Sequence, residues 1–440
     1  MRQAYTIALR RLAAAFIAAV VAAWLGTGCT LAATVSVTAG GERLRTAIAA
    51  AAVGDVLQLE AGVHDGPVVV DKPLTLEGRP GAVVDGGGRG RTIEVVAPGV
   101  TVRGLGVRGS GIDHEMDAGI YLEQSATGAK VLDNTVSDNL VGVYVHGASG
   151  AIVRGNTIVG RTDLRLNDRG NGVYVWNAPG AQVIDNDISG GRDGIFTNTS
   201  RRNVFRGNRI HGVRFAVHYM YTNDSEVSAN VSVGNHAGYV IMFSDHLKIH
   251  GNVSRGDRDH GLLLNYANDS RIDSNVVSGS QKCVFIYNAN KNDIAANRFE
   301  NCAIGIHFTA GSERNAVSGN AFINNQTQVK YVGTRSIDWS VKGRGNYWSD
   351  NPVFDLNGDG IADAAYRPND LVDRVVWAYG AAKLLLNSPV VEVLRWAQSQ
   401  FPALHPGGVV DSAPLMTPPQ VGPATETARL KQGEAANDRR

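Results

Sequence analysis

Between residues 118 and 332 the apolar side chains fall into two interleaved series. In the first, an apolar residue lies three positions before each of nine asparagines. The pairs are Val131/Asn134, Val153/Asn156, Val183/Asn186, Phe205/Asn208, Val227/Asn230, Ile249/Asn252, Ile272/Asn275, Ile294/Asn297 and Val317/Asn320. Successive asparagines are 22, 30, 22, 22, 22, 23, 22 and 23 residues apart. In the second series a small residue opens a run read in order as GIYL, GVYV, GVYV, GIFT, AVHY, GYVI, GLLL, CVFI and GIHF. Each run starts 14 or 15 residues before its asparagine. Alternation of β-branched and aromatic residues marks strands, and Gly and Asn mark the bends between them. A period near 22 with several short strands per period predicts an all-β fold, a right-handed parallel β-helix whose coils stack to share one core. Leucine-rich repeats have a similar period but require leucines and helix-forming spacers, which this chain lacks. Asparagines stacked at a bend hydrogen-bond along the stack, so they are read as structural.

The flanks divide the rest of the chain. Residues 1–33 read as a cleaved export signal, with Arg2, Arg10 and Arg11 ahead of a short apolar stretch. "LGTGC" around Cys29 resembles a lipoprotein box only loosely. The β-helix is expected over 34–345, opened by a short amphipathic helix over 42–55 that plugs the first coil. Residues 346–370 read as loop and 371–416 as C-terminal helices with a closing segment, the helical pattern breaking at Asn387–Pro389. A polar, disordered tail is expected over 417–440.

Composition adds two constraints. The 52 glycines among 440 residues fit a turn-rich β architecture, and the net charge of +1, without a basic run, argues against a nucleic-acid partner. Cys283 and Cys302, the two cysteines beyond the export signal, occupy different repeat positions. Their spacing leaves a disulfide open without indicating one.

The repeat also assigns sides. In the second series the first and third residues after the small one are mostly aliphatic and point inward, so the second and fourth point outward. The outward columns hold Tyr121, Tyr144, His146, Tyr174, Trp176, Phe196, His218, Met220, Met242, Phe285 and Tyr287. Such an aromatic stripe is expected to receive a partner. Two of the five methionines, Met220 and Met242, take the same position on neighbouring coils, with His218 beside them. Two thioethers and an imidazole suit Cu(I), held transiently, whereas adaptable methionine contacts to a protein partner are the competing reading. His114 and Met116 form a second His-x-Met pair in the insertion before Gly119. In "DLNGDGIAD", Asp355, Asn357, Asp359 and Asp363 stand at positions 1, 3, 5 and 9 of a Ca(II)-type loop, with Gly360 at the turn. The glutamate of position 12 is replaced by Tyr366, so a side-chain-stabilised turn without metal is the alternative.

The coils, the strings "VHYMYTNDS" and "HGLLLNYANDS", the segment "GNYWSDN…DLNGDGIAD…YRPNDLVDR" and the closing "VVDSAPLM" together resemble the NosD family, from about residue 35 to 416. The resemblance implies a non-catalytic periplasmic protein, associated with the inner membrane through an ABC transporter. It implies a role in assembling the copper–sulfur centre of nitrous oxide reductase. The partners implied are the transporter's membrane subunit, docked by the helices of 371–401, the apo-reductase, and a copper chaperone as donor. The competing class is a polysaccharide lyase or epimerase, which needs an acid–base cluster on one external groove. Asp224, His246, Asp257, Asp259 and His260 lie at bends and are the groups available for it, but they share no column.

Overall fold

A computed structural model describes residues 32–113, 117–333, 335–351, 354–385, 388–401 and 407–421. The export signal as far as residue 31, His114, Met116, Asn387 and the tail from 422 lie outside the described residues.

The chain winds as a parallel β-solenoid. Three sheets of 13, 12 and 13 strands run along it, and every strand pairs in parallel with its counterpart one coil away. Strands of three residues suffice in the first and third sheets because each is held by two neighbours. The second sheet carries the longer strands, including Asp193–Arg201, Phe215–Asn223, Ala237–Asp245 and His260–Asn268. The apolar residues three before each asparagine are all buried, stacked in one column of the first sheet.

The corner between the first and third sheets explains both the asparagines and much of the glycine. The residue just before the asparagine is left-handed in each coil: Gly155 and Gly207 at φ 69° and 68°, but also Asp133, Asp185, Ala229 and Ala296 at φ 53°. Glycine takes this conformation without steric cost, and Asp tolerates it. The asparagine that follows is buried. Asn230, for example, accepts at Oδ1 from the Asn208 backbone N–H (3.0 Å) and Nδ2 (2.9 Å), and its own Nδ2 donates to Phe205 O (2.9 Å) and to Asn252 Oδ1 (3.0 Å). The row ends on Asp411, whose Oδ2 accepts from the Asn346 N–H (2.6 Å) and from Trp348 Nε1 (2.8 Å).

Both ends of the core are closed. Helix α1 (Arg43–Ala50), shorter than the pattern predicts, buries Leu44 and Ile48 over the first coil. At the other end Trp339 and Trp348 stack near Phe322, and Val409 pairs with Ile337. Cys283 and Cys302 are joined in a buried disulfide, a link the spacing left undecided. One coil brings them together: Cys283 sits in the small-residue position of its second-sheet strand, and Cys302 follows the third-sheet strand of the same coil. Beyond the solenoid lie α2 (Leu371–Ala378) and α3 (Pro389–Gln400). Helix α2 begins with a capping box between Asp370 and Asp373.

Candidate metal centre

The outer face of the second sheet carries the predicted columns. Met220 and Met242 are register partners on adjacent strands, both partly exposed, flanked in the same column by Asn198 and Asn265. His218 lies two residues before Met220 on that face and is 7% exposed. Its Nδ1 stands 3.0 Å from Asp193 Oδ2, contributed by the preceding coil. Arg214 binds the same carboxylate with both edges of its fork, Nε to Oδ1 at 2.8 Å and Nη2 to Oδ2 at 2.7 Å. The imidazole is walled by Phe196, with ring centroids 4.8 Å apart, and by Phe215 at 5.2 Å and nearly perpendicular.

Burial pushes the Asp193 carboxyl up, but hydrogen bonds from His218 and Arg214, with their charges, outweigh it and hold its pKa below the ordinary carboxylate value. Asp193 is therefore an anion under a histidine, which fixes the His218 ring through Nδ1. The other nitrogen, Nε2, is buried and has no hydrogen-bond partner. A carboxylate on one imidazole nitrogen with the other free is how proteins orient a metal-binding histidine. Asp193 was absent from the sequence reading because it lies 25 residues from His218 and belongs to a different column.

The residues present fit a soft cation. His218 and the register-paired Met220 and Met242 share one outer face, and an imidazole with two thioethers is a donor set that favours Cu(I) over oxygen-seeking ions. Among the described residues no group of three or more His, Cys, Asp or Glu side chains is placed to hold a metal ion.

Two residues of the aromatic stripe need correction. Tyr121 and Tyr144 stand in the outward column, yet they are 1% and 6% exposed. The Arg91 guanidinium lies 3.5 Å from the centre of the Tyr121 ring, and Tyr144 packs edge-on against Tyr121 and flat against Tyr174. They form a small second core with Ala118 and Val141 and do not line an open surface. Burial pushes the Tyr121 hydroxyl up to about 12. His146 stacks on Trp176, and Tyr174 on Phe196, continuing the stripe toward His218. Farther along, Phe285 is partly exposed and Tyr287 is exposed.

A second aromatic row was not anticipated. Tyr221, Phe243 and Tyr266 stand one residue beyond the methionine column, exposed and stacked at centroid spacings of 5.2 and 5.1 Å. All three are left-handed, at φ 49°, 48° and 50°. The signal lay in the neighbouring coils, where Gly147, Asn177 and Asn288 take the same position and the same conformation.

The remaining candidates are placed as follows. In the Ca(II)-type loop the carboxylates point at backbone N–H groups: Asp355 accepts from Gly358 and Gly360, Asp359 from Ile361, and Asp363 from Leu356, while Asn357 accepts from Asp359. These bonds shape the turn. The groups named for a lyase do not assemble. Asp257 is buried and accepts from Ser232, Ser254 and the Asn235 N–H, Asp259 is taken by Arg258, and Asp224 and His246 form an exposed pair 3.9 Å apart.

A family profile described as "Periplasmic copper-binding protein (NosD)" matches residues 154–352, the span holding Asp193, His218, Met220 and Met242. Two relatives, each named "Probable ABC transporter binding protein NosD", extend the match over most of the chain. The one from Stutzerimonas stutzeri is 40% identical over 378 residues, covering 82% of this chain and 87% of the relative. The one from Pseudomonas aeruginosa is 42% identical over 380 residues, covering 83% and 89%. Among solved structures, an exopolygalacturonase from Yersinia enterocolitica is similar at 12% identity and a TM-score of 0.44, over 69% of this chain and 78% of that one. Fold and relatives together define a β-solenoid of the periplasmic copper-binding class. The chain belongs to the NosD family.

Proposed function

We propose that this protein is a periplasmic accessory factor, not an enzyme, that works with an ABC transporter to assemble the copper–sulfur centre of nitrous oxide reductase. In this reading Cu(I) is cargo, received from a copper chaperone and held transiently by His218, Met220 and Met242. The observation that carries it is the buried, partnerless Nε2 of an imidazole already oriented by a carboxylate, next to two register-paired methionines. The stripe from Tyr174 and Trp176 through Phe196 to Phe285 and Tyr287 receives the apo-reductase or the copper donor. Helices α2 and α3 face the transporter's membrane subunit. What supports this is an apolar groove of about 260 Å³ between them, lined by Leu371, Val372, Val375, Val391 and Leu394, with Val390, Val393 and Trp396 exposed beside it. No described helix is long and apolar enough to cross a membrane, so on this reading attachment runs through the partner.

The test is on the client. Nitrous oxide reductase is purified from denitrifying cells lacking this protein, complemented with wild type or with Met220→Leu/Met242→Leu, and its copper content and absorption spectrum are recorded. The leucines conserve volume on partly exposed positions, so the fold is expected to survive. Loss of the copper–sulfur centre on deletion, unrescued by the double variant, is the expected result. A fully loaded reductase in the deletion strain overturns the assembly role. Full rescue by the leucine variant leaves that role standing and removes the methionines from it.

A further inference from the structure

Starting on the coil next to Met242, the same outer face changes chemistry. His260 and Lys282 are register partners on adjacent strands, with Lys282 Nζ 3.4 Å from His260 Nε2. Phe285, His307 and Lys330 follow one another in the neighbouring column on three successive strands. The Phe285 ring forms the floor of the cluster: His260 lies 5.5 Å from its centroid, His307 5.0 Å, and Lys282 Nζ 5.2 Å. Neither lysine forms an ion pair with a described carboxylate. Among the described residues the acid that faces the group is Asp259, whose two oxygens are bound by Arg258 at 2.9 Å. His307 Nδ1 is buried without a hydrogen-bond partner.

Four basic groups gathered around a single acid that is itself paired with Arg258 repel one another, and the pKa values of His260, Lys282 and His307 shift accordingly. Burial and then Lys330 lower the Lys282 pKa. Burial and the nearby lysines bring both histidines down to about 4. At neutral pH the cluster therefore carries two ammonium charges and two neutral imidazoles. One carboxylate would neutralise half of that charge, and chloride offers no set of directed acceptors. A tetrahedral dianion matches both the charge and the number of N–H donors.

We infer that Lys282, Lys330, His260 and His307 form a binding site for a divalent tetrahedral oxyanion on the second sheet, separate from the methionines. The anion takes N–H donors from both ammonium groups and gives the unpartnered His307 nitrogen an acceptor. Its charge favours the protonated imidazoles, so binding draws in protons and strengthens as pH falls. The other ionisable groups near these strands leave this sign unchanged. Asp259 is already paired, and Arg374, from the segment packed beyond Lys330, donates to the Gly333 and Gly407 carbonyls.

The test is calorimetric titration of the full mature chain with sodium sulfate at constant ionic strength, with inorganic phosphate as second probe. Sulfate keeps its charge between pH 8 and 6, so its pH response reports on the protein. Saturable sulfate binding is expected, tighter at pH 6 than at pH 8 and weakened about tenfold by Lys282→Ala or by Lys330→Ala, since each removes one of two charges. Lys248→Ala, on the first sheet, serves as a charge-matched control expected to bind like wild type. Circular dichroism confirms that each variant is folded. Absence of saturable binding of both anions overturns the inference, as does equal weakening by Lys248→Ala.

Discussion

Replacing Asp193 with Asn tests whether the second sheet holds a metal ligand or merely a buried ion pair. The carboxylate is 1% exposed and accepts three charge-assisted hydrogen bonds, two from Arg214 and one from His218. The amide keeps the shape but turns a donor toward either the guanidinium or the imidazole. Hydrogen bonds to charged groups are each worth about 1.5–3 kcal/mol, and the amide retains part of them, so a net loss of about 2–3 kcal/mol in stability is expected. The effect on metal is separate. A carboxylate behind a ligating histidine sets its ring orientation, and its removal typically lowers affinity about 10- to 100-fold, or about 1.4–2.8 kcal/mol. The assay is competition for Cu(I) against a colorimetric chelator under anaerobic conditions, alongside denaturant unfolding. The pH dependence supplies a third readout. Because the folded pKa of Asp193 lies below its unfolded value, its contribution is fully present above about pH 4 and is lost as pH falls through the folded pKa. The gap in stability between wild type and variant should therefore close in acid. Unchanged Cu(I) affinity with the predicted loss of stability would refute the copper argument and leave Asp193 as a packing residue.

Other outcomes follow from the same structure. Asn230→Ala removes the acceptor for the Asn208 N–H and a donor to Phe205 O; at about 1–3 kcal/mol for each buried group left unpaired, a loss of about 3–4 kcal/mol is expected by urea unfolding, with hydrogen exchange rising first in the adjoining coils. Cys283→Ala/Cys302→Ala opens a link between residues 19 apart and should cost about 3 kcal/mol; a change below 1 kcal/mol would show that the coil is held by its neighbours alone. His260 and His307 titrate near 4 in the folded protein and near 6.5 unfolded, so the unfolded chain binds more protons between those values and stability must fall as pH is lowered across that window. With screening of these partly exposed rings the loss is about 1 kcal/mol each, and His260→Gln/His307→Gln should flatten it.

How much of this was legible follows from how far each contact reaches. The coil period, the inward valines and isoleucines, and the alignment of Met220 with Met242 are nearest-neighbour properties of a repeat, and the sequence displays them directly. The burial of Tyr121 is not of that kind, because the arginine that covers it comes from a preceding coil that the asparagine ladder does not mark. Asp193 was hidden for a related reason. It occupies the column where later coils place Phe215, Ala237, His260 and Lys282, so one position carries five chemistries and no pattern. The left-handed aromatics were recoverable, since Gly147, Asn177 and Asn288 flank them at that register. Such a conformation costs an aromatic residue on the order of 1 kcal/mol, which the stacking of the three rings partly offsets.

The asparagine row has a sense of direction. From Asn134 to Asn320 every backbone N–H and most side-chain amides donate toward the next coil, and every Oδ1 faces back. No single amide can rotate without setting donor against donor on one side and acceptor against acceptor on the other. The ladder therefore behaves as one oriented chain of dipoles whose members polarise one another. Such a chain ends naturally on an acceptor, and Oδ2 of the Asp411 carboxyl, whose pKa burial pushes up against the hydrogen bonds it accepts, fills that place. Asp411 supplies it from 65 residues beyond Asn346, so the closing segment is the electrostatic terminus of a row that begins at Asn134.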